Sequence, residues 1–163
     1  MTNTHLKKDL SMSIAKRDMN SEFISSLSDI MGTFYKDSAH SANLISNISN
    51  ELLTNGYKYS KGNTDLKITS FLNDDNKLCM IVENESTAKQ SKRLLKFINT
   101  LYKCDDYDKM YCERMESISL MDDTESSQIG IVSLINMYNC IVDVRLEDVG
   151  GHHLVTTTIT INV

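Results

Sequence analysis

Residues 39–60 restrict the fold more than any other stretch, because apolar side chains recur there at helical spacing while three polar ones line the edge of the same stripe. At roughly 100° per residue, Leu44, Ile45, Ile48, Leu52 and Tyr59 share a core-facing sector about 100° wide. Glu51, Asn55 and Lys58 follow an i, i+4, i+7 spacing along one margin of that sector. Burying an uncompensated polar group costs on the order of a few kcal/mol. A carboxylate, an amide and an ammonium in such a row therefore need mutual pairing, solvent at a boundary, or a polar ligand.

The segments around this helix offer it a sheet to pack on. After a loose polar start over residues 1–8, Leu10, Met12 and Ile14 alternate with Ser11, Ser13 and Ala15, a period of two that predicts a strand. A helix capped by Asn20 or Ser21 carries Phe23, Ile24, Leu27, Ile30, Met31 and Phe34 and ends near residues 36–38. Lys61-Gly62-Asn63-Thr64 stops the central helix. Two strands, 65–72 and 77–84, then form a hairpin about Asn73-Asp74-Asp75-Asn76.

Beyond the hairpin, Ser86 or Thr87 caps a helix whose apolar stripe is Leu94, Leu95, Ile98, Leu101 and Tyr102. Beside it run Lys89, Lys92, Arg93 and Lys96, a basic face that suits either solvent or an acidic partner. Residues 107–118 predict another helix or an irregular lid, and 121–128, with Asp122, Asp123 and Glu125, a solvated polar loop. A helix over about 129–138 and two strands, 141–146 and 154–163, complete the order. The sum predicts one domain over residues 1–163, a two-layer α+β sandwich with helices on one face of a largely antiparallel sheet.

Bulk properties narrow the function. At 163 residues the chain suits a single core, and a net charge of −5 gives no basic footprint for nucleic acid. No apolar run approaches the roughly 20 residues that span a bilayer, and residues 1–20 are too polar for a signal peptide, so the expected compartment is the cytoplasm. Cys79, Cys104, Cys112 and Cys140 lack CxxC spacing and read as reduced thiols. His152 and His153, adjacent on a strand, point to opposite faces and read as a solvated strand end.

Glu51-x-x-x-Asn55 followed by Lys58-Tyr59-Ser60 resembles the N-box helix of the GHKL ATP-binding (Bergerat) fold, the family of histidine kinases, gyrase-type ATPases and anti-sigma-factor serine kinases. The opening strand and the extra helix before the box are closest to the anti-sigma kinases and the divergent Sia-type regulatory kinases. The resemblance implies ATP and magnesium as cofactors, Asn55 as the metal ligand, Glu51 as catalytic base and Lys58 near phosphate. It further implies that Glu83 or Asn84, within Val82-Glu83-Asn84-Glu85-Ser86, replaces the adenine-binding Asp of a loop whose glycines are missing here. Gly130 is what remains of the later glycine box, at a helix start where an anion could sit, and Thr158 belongs to the Thr-rich closing strand.

Two functions follow from the resemblance. One is a bacterial signalling regulator that binds Mg-ATP as a serine/threonine protein kinase and phosphorylates or sequesters a small anti-sigma-antagonist-like protein or a sigma-type factor, as a monomer or homodimer. The other is a GHKL-like binding module that has lost ATP turnover and regulates by protein–protein contact, as the altered glycine boxes would allow.

Overall fold

The computed structural model describes residues 9–36, 41–117 and 123–161, with the side chains of 117 and 123–128 left aside; the predicted polar start over 1–8 lies outside them. The order is β1 (Asp9–Ala15), a single 3-10 turn (Lys16–Asp18), α1 (Ser21–Tyr35), α2 (Ala42–Tyr59), β2 (Asp65–Leu72), β3 (Leu78–Thr87), α3 (Ala88–Leu101), α4 (Tyr107–Ser117), α5 (Asp123–Tyr138), β4 (Cys140–Asp148) and β5 (His152–Ile161). Five strands form one sheet in the order β1-β2-β3-β5-β4, every neighbouring pair antiparallel. The helices cover one face, giving the two-layer α+β sandwich that the residue pattern predicts.

Alternation decides which face is covered. Leu66, Ile68 and Ser70 of β2, Leu78, Met80 and Val82 of β3, and Val155, Ile159 and Ile161 of β5 are all buried, and the register aligns them in rows, Met80 opposite both Ser70 and Ile159. The apolar helix stripes complete this core with Ile45, Ile48, Leu52 and Leu53 of α2, Leu94, Phe97 and Ile98 of α3, and Ile131, Val132 and Leu134 of α5. Tyr35 of α1, fully buried, shares a 2.9 Å hydrogen bond with Ser70 Oγ. Among the described residues no helix is long and apolar enough to cross a membrane.

Local chemistry sets the element ends. Asn20 and Ser41 cap α1 and α2 by accepting from Phe23 N–H and Leu44 N–H. The Lys16 ammonium donates to the Ser60 carbonyl at 2.6 Å, placing a cation at the C-terminus of α2. In the β2–β3 turn, Asn73 Oδ1 accepts from the N–H groups of Asp75 and Lys77. Gly150 and Gly151 take φ of 78° and 93° in the last hairpin, where Asp148 Oδ1 accepts from both N–H groups.

β4 and β5 begin at Cys140 and His152 rather than at 141 and 154, and two further boundaries depart from the expectation. β3 runs three residues past the predicted end at 84, and Thr87 is at once its last residue and the N-cap of α3, in a reciprocal capping box with Gln90. Helix α5 begins at Asp123, so most of the predicted polar loop over 121–128 is helical; residues 121 and 122 lie outside the described set. His152 opens β5 and is partly solvated, yet both histidines are engaged. His152 Nε2 lies 3.0 Å from Glu85 Oε2, and His153 Nδ1 is hydrogen-bonded to the buried Ser91 hydroxyl of α3.

Helix α2 approaches the sheet through Gly56. A Cβ there would stand 2.8 Å from Val82 Cγ1 and 2.9 Å from Leu66 Cδ2, closer than side chains tolerate. Gly56→Ala is expected to lower stability by about 1–3 kcal/mol despite the better helix propensity of alanine, as a lower urea midpoint at unchanged slope would register.

Candidate functional site

Helix α2 lies along β3 with both running in the same direction. Ser49 Oγ is 3.6 Å from Met80 Sδ, Gly56 sits over Val82, and Lys61 N–H donates to the Glu85 carbonyl at 2.6 Å. Asn55 is about 100° round the helix from Gly56, on the same flank as Glu51. That flank faces α5. The Glu51 carboxylate lies against Gly130, where any Cβ would collide with Oε2 and come within 2.9 Å of Cδ.

Past Val82 the covered face of β3 turns polar, with Asn84 and Ser86 at the next two inward positions, 3% and 0% exposed. Asn55 is 8% exposed. Asn55 Oδ1, Asn84 Nδ2 and Ser86 Oγ are each buried and, among the described residues, without a hydrogen-bond partner. Opposite Ser86 in the register stands His153, and opposite Asn84 stands Val155. Three orphaned polar atoms on one helix flank and one strand segment are uncommon in a core, since each costs about 1–3 kcal/mol when left unpaired.

Glu51 is half-buried, and burial pushes its carboxyl above the usual carboxylate range, an effect that the positive charge of Lys58 partly offsets. Lys58 itself is exposed at the margin. Along one helix the row therefore holds a half-buried carboxylate, a buried amide and an exposed ammonium, with the acid's proton affinity raised above that of a surface glutamate.

The seven residues singled out from sequence do not gather in one place. Glu51, Asn55, Asn84 and Gly130 border the interior, and Lys58 stands at its edge. Glu83 and Thr158 lie on the opposite, open face of the sheet, Glu83 between Lys67 and Thr156 and Thr158 between Ile81 and Asp143. Of the alternatives Glu83 and Asn84, the pleat turns Asn84 inward. Gly130 is not at a helix start. It lies about two turns inside α5, so no free N–H cluster awaits an anion there, and its missing side chain instead makes room for Glu51. Ser86, read from sequence only as a cap, joins the site; continuing the period of two from Leu78, Met80 and Val82 would have found it.

No family model matches the chain, and no curated protein matches it. A chain from the crystal structure of the SiaB–SiaC complex of Pseudomonas aeruginosa is similar in structure, with a TM-score of 0.68 over 94% of this chain and 91% of that one, at 12% sequence identity. At that identity the likeness shows a shared fold.

Two outcomes test the geometry. Because the folded state raises the proton affinity of Glu51, it binds more protons than the unfolded chain between the ordinary value of 4.5 and the raised one; the contribution of Glu51 is least unfavourable below 4.5 and becomes destabilising as pH rises through that window. The stability of Glu51→Gln relative to the native chain is therefore expected to increase with pH from 4.5 upward, read from urea midpoints across a pH series. Asn84→Leu, which keeps the branching and heavy-atom count while removing an orphaned polar group, is expected to raise stability by about 1–2 kcal/mol in the same assay.

Proposed function

We propose that this protein is a cytoplasmic signalling regulator of the Sia and anti-sigma-kinase type, a single domain that binds Mg-ATP between α2 and β3 and phosphorylates a serine or threonine of a small partner protein. The observation that carries the reading is the orphaned trio Asn55, Asn84 and Ser86, whose unmet hydrogen bonds are a standing cost that a polar ligand would relieve. The likeness in fold to a chain from a two-protein complex supports a protein partner, for which an anti-sigma-antagonist-like domain or a sigma-type factor is the chemistry expected. Four free thiols suit a reducing compartment.

The residues present fit the cofactor. Asn55 offers a buried, unpaired oxygen to a hard cation. Among the described residues no three His, Cys, Asp or Glu side chains converge on a metal position, so magnesium would take its other ligands from phosphate and water, as that ion usually does. Asn84 and Ser86 would offer hydrogen-bonding groups to the base, and the exposed ammonium of Lys58 would attract phosphate. Glu51, with its raised proton affinity, takes the proton of the acceptor hydroxyl. Bound nucleotide supplies the phosphoryl group and its leaving group, and the protein contributes position and charge.

Two observations favour a second reading. Glu51 is packed against Gly130, and β3 passes into α3 at Thr87 with no glycine-bearing loop between them. Both features suit a regulator that holds nucleotide or partner without turnover. Titration of the native protein with Mg-ATP separates the readings. Nucleotide at about 100 times its Kd is expected to add roughly 2.7 kcal/mol of stability and several degrees of Tm. Asn55→Ala should remove the magnesium dependence of that shift, while Glu51→Gln should keep the shift and cut phosphoryl transfer to the partner by about 100-fold or more. No shift at millimolar Mg-ATP overturns the nucleotide reading; a shift with no transfer selects the non-catalytic one.

A further inference from the structure

The outer face of α3 carries a second feature that the nucleotide reading does not use. Lys92, Lys96 and Asn99, at i, i+4 and i+7, project directly away from the buried stripe of Leu94, Phe97, Ile98 and Leu101. Lys103 continues the row just past the helix end. Between Thr87 and Cys104 there is no acidic residue, and Lys89, Lys92, Arg93, Lys96 and Lys103 place five of the chain's 17 Lys and Arg within fifteen positions of a protein whose net charge is −5. This is a local reversal of sign.

The basic row borders a hollow of about 640 Å³, lined also by Leu95, Thr100, Cys104 and by Met110 of α4. Leu95 is 38% exposed within it. The far wall is tied down, because the Arg114 guanidinium of α4 lies 4.7 Å from the centroid of the buried Phe97 ring. Of the two carboxylates in the loop between α3 and α4, Asp106 is turned to cap α4 by accepting from Lys109 N–H at 2.9 Å, and Asp105 is exposed.

We infer that this groove between α3 and α4 docks an acidic protein segment carrying an apolar anchor, the anchor seated on Leu95 and Met110 and the acids facing Lys92, Lys96 and Lys103. Charge complementarity selects the occupant. A bare polyanion would leave the apolar floor uncovered, and an extended nucleic acid or an anionic bilayer would meet the net negative charge of the rest of the surface. One exposed leucine is also a small foothold for a membrane. The groove lies outside the nucleotide site, so docking and nucleotide binding are separable.

Fluorescence anisotropy with a fluorescein-labelled helical peptide built of Glu and Leu, in the absence of nucleotide, tests the inference. The expected result is saturable binding that weakens with salt, falls about tenfold or more in Lys92→Glu/Lys96→Glu, falls in Leu95→Ala, and is unchanged in Lys36→Glu on α1. Circular dichroism melts of each variant confirm that the fold is retained. Equal affinity in the double variant, absence of saturable binding, or tighter binding of a single-stranded oligonucleotide or of phosphatidylserine vesicles than of the peptide overturns it. Because no nucleotide is present, any of these outcomes leaves the Mg-ATP reading where it stood.

Discussion

The close approach of α2 to the β2–β3 hairpin at Gly56 is the contact on which the rest of the structure depends. Without a side chain at that position the helix axis can settle onto Val82 and Leu66, burying Ile45, Ile48, Leu52 and Leu53 behind it. The same settling sets the height of Asn55 above the sheet and leaves Glu51 at the level of α5. A bulkier residue would lift the helix, and both the packing and the polar flank would move together. Gly130 answers Gly56 on the other side, since it is the absence of a side chain on α5 that admits the Glu51 carboxylate.

This arrangement sets stability against ligand readiness. Asn55, Asn84 and Ser86 occupy positions where apolar residues of like size would pack at least as well, and their unpaired atoms are a cost that the apolar core of β2, β3 and β5 has to offset. Glu51 adds a partly desolvated charge, tempered by Lys58. These polar groups are concentrated on one flank of one helix and the end of one strand, where side-chain polarity and burial are at odds.

Much of the architecture was legible in the residue pattern, because periods of two and 3.6 are strong in β1, β2, β5, α1 and α2. The departures have physical causes. Local signals end the strand at 84, because Glu85 favours strand little and Ser86 or Thr87 reads as a helix cap, yet pairing with Leu154, His153 and His152 on β5 carries it on to Thr87, tertiary contact overriding local preference. The stretch from Asp123 is polar enough to read as a loop, and its helix continues into Ile129, Ile131 and Leu134, which bury against the core. For the site, helical spacing found Glu51 and Asn55, but a strand's two faces cannot be told apart from a short motif alone. Thr158 and Glu83 fell on the far side for that reason, whereas the inward register of Leu78, Met80 and Val82 already pointed to Asn84 and Ser86.

The direct passage of β3 into α3 at Thr87 leaves no slack between a sheet strand and the helix that follows it. Ser86 is two residues before the first residue of that helix, and Ser91, one turn on, is tethered to His153 of the neighbouring strand. Any change in the direction of α3 would therefore have to be taken up at the threonine cap or within the sheet itself, since no loop separates them.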